Sequence, residues 1–187
     1  VILSARWTTM YYPAAPHVES LPFDNQSGGI ERIQYRENVT IGSDGKLSIN
    51  AAEKKHATLS MLRGLGDKLV AAVVYPVPEI GWDIYRENVS YYDETGNVLE
   101  HLSYPYSVYK SRNEFSIDIL DEASLASRNI IPIRADTLLC QDIVKMQCVA
   151  QYQSVPYYVD DDHLSDAGAD IIVSQILKQL SDELESK

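Results

Sequence analysis

The chain has 187 residues, of which 45% are hydrophobic, with 9 glycines and 8 prolines, and this composition suits one globular domain with a packed core. Its net charge of −11 makes nucleic acid and anionic membrane surfaces poor partners, whereas a neutral glycan is compatible with it. No apolar run is long enough to cross a bilayer and no signal peptide is present, but the chain begins with Val rather than Met, so we expect a fragment of a longer polypeptide.

The first predicted element is a short buried strand over residues 1–5. Arg6 and Trp7 follow it directly. In an open α/β sheet the carboxyl ends of the strands form the edge where ligands bind, so both residues are candidates for contact with substrate or oxyanion. Arg6 could donate hydrogen bonds to an anionic oxygen, or it could instead form a salt bridge with one of the many carboxylates.

A surface hairpin and a helix are predicted next. The Asp44-Gly45 turn signal joins two strand-like segments, 39–41 and 46–49. A helix is predicted over residues 51–65, because apolar residues recur on one side and a glycine ends the pattern. His56 lies inside this helix and is interpreted as a packing or surface histidine, not as a ligand.

The clearest buried strand is predicted over residues 69–75. A Pro-Val-Pro-Glu segment follows it, which puts Glu79 at a carboxyl edge, where it could line a site or remain a solvated loop residue. Residues 80–112 are predicted to hold a second β-hairpin, because the segment 85–90 echoes the segment 35–40 and each is followed by a turn signal.

The last third of the chain alternates helices with strands. A helix is predicted over 113–127, a strand over 129–133, and short extended segments over 148–152 and 155–158. This alternation predicts a three-layer α/β/α architecture. The final helix carries an apolar residue at every fourth position, so one face is predicted to pack inward: Ile172, Ile176, Leu180 and Leu184.

Two cysteines, Cys140 and Cys148, lie eight residues apart. Their spacing does not suit a zinc site, which usually takes four ligands in close pairs. The residues alone leave two interpretations: a local disulfide that closes a small loop in an oxidising compartment, or two unrelated buried thiols.

Three consecutive carboxylates precede His163, and a helix that Ser165 can cap begins directly after it. Asp160, three residues before the histidine, can accept the Nδ1 proton, fix the tautomer and leave Nε2 to take a proton from a serine. Asp160 and His163 are therefore the candidate catalytic pair, although an acidic, solvated loop shows the same pattern.

The block from Tyr157 to Ala169, with its Asp-Asp-Asp-His-Leu-Ser-Asp sequence, closely resembles the last conserved block of SGNH (GDSL-type) hydrolase domains. It is most similar to those fused to acyltransferase family 3 membrane proteins, which O-acylate bacterial surface polysaccharides. Residues 1–7, the segment 76–79 and the two cysteines match the same subgroup. The resemblance implies a flavodoxin-like parallel sheet with hairpin insertions, and it favours a Cys140–Cys148 disulfide.

The resemblance also identifies motifs that the sequence lacks. In this family the serine nucleophile lies in a Gly-Asp-Ser block after the first strand, and no such block occurs here. We therefore expect a single, partial SGNH-like domain over residues 1–187, with its first strand and its serine upstream of Val1, and no activity in isolation. The family's Gly-x-Asn-Asp block is absent as well, and Arg6-Trp7 matches the Arg-Trp of the acyltransferase-linked subgroup.

The function implied by the resemblance is transfer of an acyl group, expected to be acetyl, to a hydroxyl of a cell-surface polysaccharide by Ser-His-Asp chemistry without a cofactor. The implied partners are a membrane acyltransferase domain in the same polypeptide, an acyl donor and a glycan acceptor. The implied location is the periplasmic side of the bacterial inner membrane.

Three alternatives stay open. The first is a stand-alone carbohydrate esterase, or deacetylase. The second is a glycan-binding module without a nucleophile, which would use Trp7, Trp82 and the tyrosine-rich loops. The third, a metal site at residues 160–163, is ranked last because adjacent extended residues point in opposite directions and rarely converge on one ion.

Overall fold

The computed structural model describes residues 1–5, 7, 40–41, 47–48 and 51–185. These residues form two compact units. The first unit contains the described residues up to Pro76 together with Asn113–Pro132, and the second contains Val77–Arg112 and the described residues from Ile133 onward.

The first unit is built on a three-stranded parallel sheet. Its strands are β1 (Ile2–Leu3), β4 (Ala71–Val74) and β6 (Ile130–Ile133), in the order β1-β4-β6. Leu3 lies opposite Val73 in the parallel register of β1 and β4. Every residue of β4 is buried, as expected for an inner strand of a parallel sheet. The three strands predicted here are confirmed, each with shorter ends.

Two helices supply the rest of this unit's core. Helix α1 (Ala51–Gly66) confirms the helix predicted over 51–65, and His56 is exposed on it, as a surface histidine would be. Helix α3 (Tyr106–Ala126) belongs to the first unit from Asn113 onward. The core combines an indole, a tyrosine and aliphatic side chains: Trp7, Leu59, Leu62, Ala71, Val73, Tyr75, Ile119, Leu120, Ala123 and Ile130.

Only some of the apolar side chains on α3 are buried. Ile119 and Leu120 are buried, but Phe115 is 37% exposed and Leu125 is 89% exposed. At 3.6 residues per turn, Leu125 lies about 140° around the helix from Leu120, so it cannot share the buried face. Ser116 and Ala123 occupy that face instead.

The hairpin predicted around residue 44 is confirmed where the structure describes it. Strand β2 (Thr40–Ile41) pairs antiparallel with β3 (Leu47–Ser48), and Ile41 lies opposite Leu47. The turn between them, residues 42–46, lies outside the described residues.

The second unit contains an antiparallel sheet. Its strands are β5 (His101–Pro105), β7 (Gln147–Tyr152) and β8 (Val155–Pro156), in the order β5-β7-β8. The extended segments predicted at 148–152 and 155–158 correspond to β7 and β8. The sequence did not predict β5, whose pairing with β7 shifts register between Leu102 and Ser103.

The second predicted β-hairpin is wrong, because a helix occupies that part of the chain. Helix α2 runs over Ile84–Thr95. The side chain of Asp83 accepts a hydrogen bond from Arg86 N at its start, and Gly96 adopts a left-handed φ of 69° at its end. These two caps favour the helix, although the Tyr and Val residues between them favour a strand. Asn88 also fixes α2 to β7, because its side-chain amide exchanges hydrogen bonds with that of buried Gln151.

The last two helices of the unit are α4 (Ala135–Thr137) and α5 (Asp166–Glu185). Helix α4 continues into a π-helical turn over Leu138–Asp142. On α5, Ile172 and Ile176 are buried as predicted; Leu180 is half-buried, and the side chain of Leu184 lies outside the described residues. A three-stranded parallel sheet with, in the part described, five helices confirms the predicted α/β/α class.

Candidate active site

The candidate site is a tight loop over residues 159–163, here called the Asp-His loop. It is closed by an antiparallel bridge between Tyr158 and Leu164. Val159 N donates a hydrogen bond to His163 O over 2.9 Å, which ties the two ends of the loop together. Backbone bonds across so short a loop restrict where its side chains can point.

A second set of backbone bonds anchors the middle of the loop. The carbonyl oxygen of Asp161 accepts from Ile80 N at 2.8 Å and from Gly81 N at 3.3 Å. Gly81 has a φ of 73°, in the left-handed region that favours glycine. Ile80 is only 1% exposed. The Asp-His loop is therefore attached to a buried part of its own unit.

Helix α5 fixes the other side of the loop. Ser165 caps the helix as predicted, because its hydroxyl oxygen accepts from Gly168 N at 3.2 Å. The same hydroxyl donates to Pro156 O at 2.7 Å, so it joins the helix to strand β8. Gly168 is required for close approach: a Cβ there would fall far inside contact distance of the Tyr157 carbonyl oxygen.

Asp160 and His163 form the pair that their spacing predicts. His163 Nδ1 lies 2.9 Å from Asp160 Oδ2 and 3.0 Å from Asp160 Oδ1. Since carboxylate oxygens only accept hydrogen bonds, Nδ1 carries the proton when the imidazole is neutral. Nε2, at the opposite edge of the ring, is then the basic nitrogen. The histidine side chain is 72% exposed, so reactants can approach it.

Asp160 also builds the backbone of the loop. Its Oδ1 accepts hydrogen bonds from Asp162 N at 3.1 Å and from His163 N at 2.7 Å. Partial burial by itself would raise the pKa of Asp160, but these backbone N–H groups and the imidazole hold it below its ordinary value. The carboxylate is therefore charged at neutral pH.

Asp162 also contacts the imidazole, and the sequence analysis considered it only as part of a metal site. Its Oδ1 lies 2.9 Å from His163 Nδ1, as close as Asp160 Oδ2. The signal was present as a third carboxylate beside the histidine, but spacing cannot show which carboxylate turns towards the ring. Asp160, Asp162 and His163 each bring one ligand atom to within 4.8 Å of the others, which a cation could use. The hydrogen bonds of Nδ1 to Asp160 and its ion-pair contact with Asp162 account for the same arrangement without a cation.

Glu79, predicted to contact substrate or oxyanion, forms an ion pair with Arg112 in this unit. Both side chains are largely buried, at 15% and 22% exposed. Both charges also act on Tyr104. Burial has the largest effect on the pKa of Tyr104 and raises it, whereas the charge of Arg112 lowers this pKa and the charge of Glu79 raises it. Arg112 lies 33 residues away in sequence, and no local pattern predicts this partner. The role predicted for Glu79 stays a prediction.

Trp7 is a core residue of the first unit. It is 1% exposed, and its indole N–H donates to Val74 O at 2.7 Å. Packing therefore accounts for this side chain, and the substrate or oxyanion role predicted for it stays a prediction. Arg6, the other residue predicted with it, lies outside the described residues.

The aromatic residues considered for glycan binding are placed differently from one another. Trp82 is half-buried, and its ring centroid lies 6.3 Å from that of Tyr104. Tyr85 and Tyr92 are 76% and 58% exposed on helix α2 rather than on a loop.

Cys140 and Cys148 form a disulfide, as the resemblance implied. Both are completely buried, and the bond connects the π-helical turn with strand β7. Close by in sequence, the buried carboxylate of Asp136 accepts hydrogen bonds from Arg134 and from the Tyr106 hydroxyl. This part of the second unit is thus stabilised by a covalent bond and by a charged network.

Residues 1–178 match a protein-family model described as the SGNH domain fused to AT3 domains. Neither a curated protein nor a solved structure matches the chain. Among the residues that the structure describes, no helix is both long and apolar enough to cross a membrane.

Proposed function

Because the chain belongs to the family of SGNH domains fused to AT3 (acyltransferase 3) domains, we propose that it supplies the base of a polysaccharide O-acyltransferase. In this proposal an acyl group, expected to be acetyl, passes to a hydroxyl of a bacterial surface polysaccharide. The observation that carries it is the 2.9 Å approach of His163 Nδ1 to Asp160 Oδ2 on an anchored loop. The family's AT3 fusion supports a membrane acyltransferase domain as partner, and the disulfide supports the periplasmic side.

The first half-reaction loads the enzyme. A serine supplied by sequence outside this chain attacks the acyl carbonyl of the donor while Nε2 of His163 takes the hydroxyl proton. Asp160 holds Nδ1–H and stabilises the imidazolium that forms. Collapse of the tetrahedral intermediate breaks the bond between the acyl carbon and the donor, and the imidazolium returns the proton to the leaving group.

The second half-reaction uses the same base. Nε2 of His163 removes a proton from the acceptor hydroxyl, whose oxygen attacks the acyl-serine carbonyl. The ester bond to serine then breaks, and the serine oxygen recovers its proton from the imidazolium. Both steps develop negative charge on the carbonyl oxygen, which hydrogen-bond donors must stabilise. Arg6 is the candidate side-chain donor for that charge.

A matched pair of histidine variants tests the proposed base. In a polypeptide that carries both the AT3 and the SGNH domain, His163→Ala should lower turnover of p-nitrophenyl acetate by about 100-fold or more. His56→Ala removes an exposed histidine from helix α1 and should leave turnover unchanged. Turnover that His163→Ala leaves intact would overturn the assignment of the base.

A second measurement distinguishes the transferase from the two alternatives. With excess polysaccharide acceptor, the transferase delivers the acyl group to the glycan, whereas a carbohydrate esterase releases it as free acid. A binding module would do neither and would still retain the glycan on an affinity column. The 187-residue chain alone should show no turnover, because its sequence lacks the Gly-Asp-Ser block.

A further inference from the structure

The Nδ1 edge of His163 faces two carboxylates. Asp160 offers both of its oxygens, at 2.9 and 3.0 Å, and Asp162 offers Oδ1 at 2.9 Å. The two contacts differ in kind, because Nδ1 is hydrogen-bonded to Asp160, whereas Asp162 Oδ1 lies at ion-pair distance. At equal distances, the environment of each carboxylate decides how strongly it interacts with the ring.

The two carboxylates differ in how far they are exposed to solvent. The side chain of Asp162 is 11% exposed, against 39% for Asp160, so solvent screens its interaction with the ring less. Asp160 Oδ1 already accepts from the backbone N–H groups of Asp162 and His163. Asp160 therefore divides its hydrogen bonds between the backbone and the ring.

The backbone explains why both aspartates reach the ring. The carbonyl of the intervening residue, Asp161, is held by Ile80 N and Gly81 N. The Asp160 carboxylate bonds back to the amides of residues 162 and 163, so the chain turns sharply around residue 161. In an extended strand, residues 160 and 162 would lie on one face and 163 on the other. The turn removes that alternation and brings all three side chains together.

We infer that Asp162 is a second positioning residue for the base, so that His163 is held by a pair of carboxylates and not by Asp160 alone. This inference rests on the proposed function for its catalytic meaning, but the contact itself can be tested without turnover. Either carboxylate keeps the proton on Nδ1 when the other is neutralised. Loss of both frees the ring to adopt the other tautomer.

The structural test uses nitrogen-15 NMR of the His163 ring in the 187-residue chain, at a pH where the imidazole is neutral. Asp160→Asn keeps a side-chain oxygen for the backbone amides but removes the charge, and Asp162→Asn removes the other charge. Nδ1 should carry the proton in the unsubstituted chain and in both single variants. In the double variant the proton should move to Nε2. Asp170→Asn removes one charge from an exposed position on α5 and should leave the tautomer unchanged.

The kinetic test uses the same variants in the polypeptide that carries both domains. Each single variant should lose less than about tenfold in kcat/KM, and the double variant at least about 100-fold, because each carboxylate compensates for loss of the other. If one single variant already shows the tautomer change and the full kinetic loss, the pair is refuted. If the double variant changes the tautomer but not turnover, the pair stands and the proposed function fails.

Discussion

Two glycine-to-alanine substitutions, at Gly168 and Gly64, should change stability in opposite directions. Both glycines lie in helices, where alanine is intrinsically preferred by about 1 kcal/mol. A Cβ at Gly64 would meet no atom within 4 Å. A Cβ at Gly168 would collide with the Tyr157 carbonyl oxygen and lie 3.0 Å from Leu164 Cδ2. Steric environment alone should therefore decide the sign.

The magnitude follows from comparing the two effects. Tyr157 O is a backbone atom that accepts from Ser165 N at 3.0 Å, so it cannot move without breaking the start of α5. Overpacking of this kind costs about 3 kcal/mol, which exceeds the gain of about 1 kcal/mol in helix propensity. Gly168→Ala should thus lower the free energy of unfolding by about 2 kcal/mol, whereas Gly64→Ala should raise it by about 0.5–1 kcal/mol.

Urea denaturation followed by circular dichroism measures both values, provided that the slope of the transition is unchanged. Because Gly168 packs against the base of the Asp-His loop, Gly168→Ala should also shift the NMR signals of His163, and Gly64→Ala should not. Stabilisation by both substitutions would refute the close approach at Gly168. If both substitutions destabilise the protein, then the gain in helix propensity does not operate at Gly64 either, and the comparison of the two effects is wrong.

Three further predictions concern the second unit. Reduction of the disulfide, whose cysteines are separated by 8 residues, should lower the free energy of unfolding by about 2.5 kcal/mol. If the reduced protein, with both thiols free, has the same urea midpoint as the oxidised protein, this prediction is wrong. Burial alone would raise the pKa of Asp136, but hydrogen bonds from Arg134 and Tyr106 hold this pKa below its ordinary value of 3.8. The charged carboxylate therefore stabilises the folded state above pH 3.8, and this stabilisation is lost as the pH falls through the pKa of the folded state. Asp136→Asn should cost about 2 kcal/mol at pH 7 and flatten the acid side of a stability–pH profile; an unaltered profile would exclude this carboxylate as a cause of acid unfolding. Gly96→Ala should cost about 1 kcal/mol in thermal denaturation because its φ of 69° is left-handed, and an unchanged or higher midpoint would argue against that cap.

Features set by neighbouring residues were predictable from sequence. The Ser165 cap, the four-residue spacing on α5 and the Asp160–His163 pair all depend on contacts within four residues, and the structure shows each of them. Strand β4 was equally clear, because a short apolar run of this kind suits an inner strand of a parallel sheet. The family expected from the Asp-His block was confirmed over residues 1–178.

Features that depend on distant residues were not predictable. The Gly96 cap of α2 has the sequence of a turn signal, the residues before it favour strands, and the partner of Asn88 in the amide pair, Gln151, is remote in sequence, so the sequence predicts a hairpin where the structure has a helix. The Glu79–Arg112 ion pair joins residues 33 apart. The burial of Trp7 depends on core residues that are distant in sequence, so its position after a strand does not predict it.

Because His163 is exposed, the rest of the Asp-His loop has to hold its ring in place. An imidazole that is 72% exposed has little packing to hold it, so hydrogen bonds must select its rotamer and tautomer. Those bonds act on one edge, Nδ1, through carboxylates whose own positions follow from backbone bonds at Asp161 and from the turn around it. The backbone of a buried neighbouring segment therefore helps to determine the orientation of the ring through its Nδ1 edge. Ile80→Pro, which removes the backbone N–H that bonds to Asp161 O, should consequently displace both carboxylates from Nδ1 and alter the tautomer in nitrogen-15 NMR; an unchanged tautomer would contradict this role of the backbone.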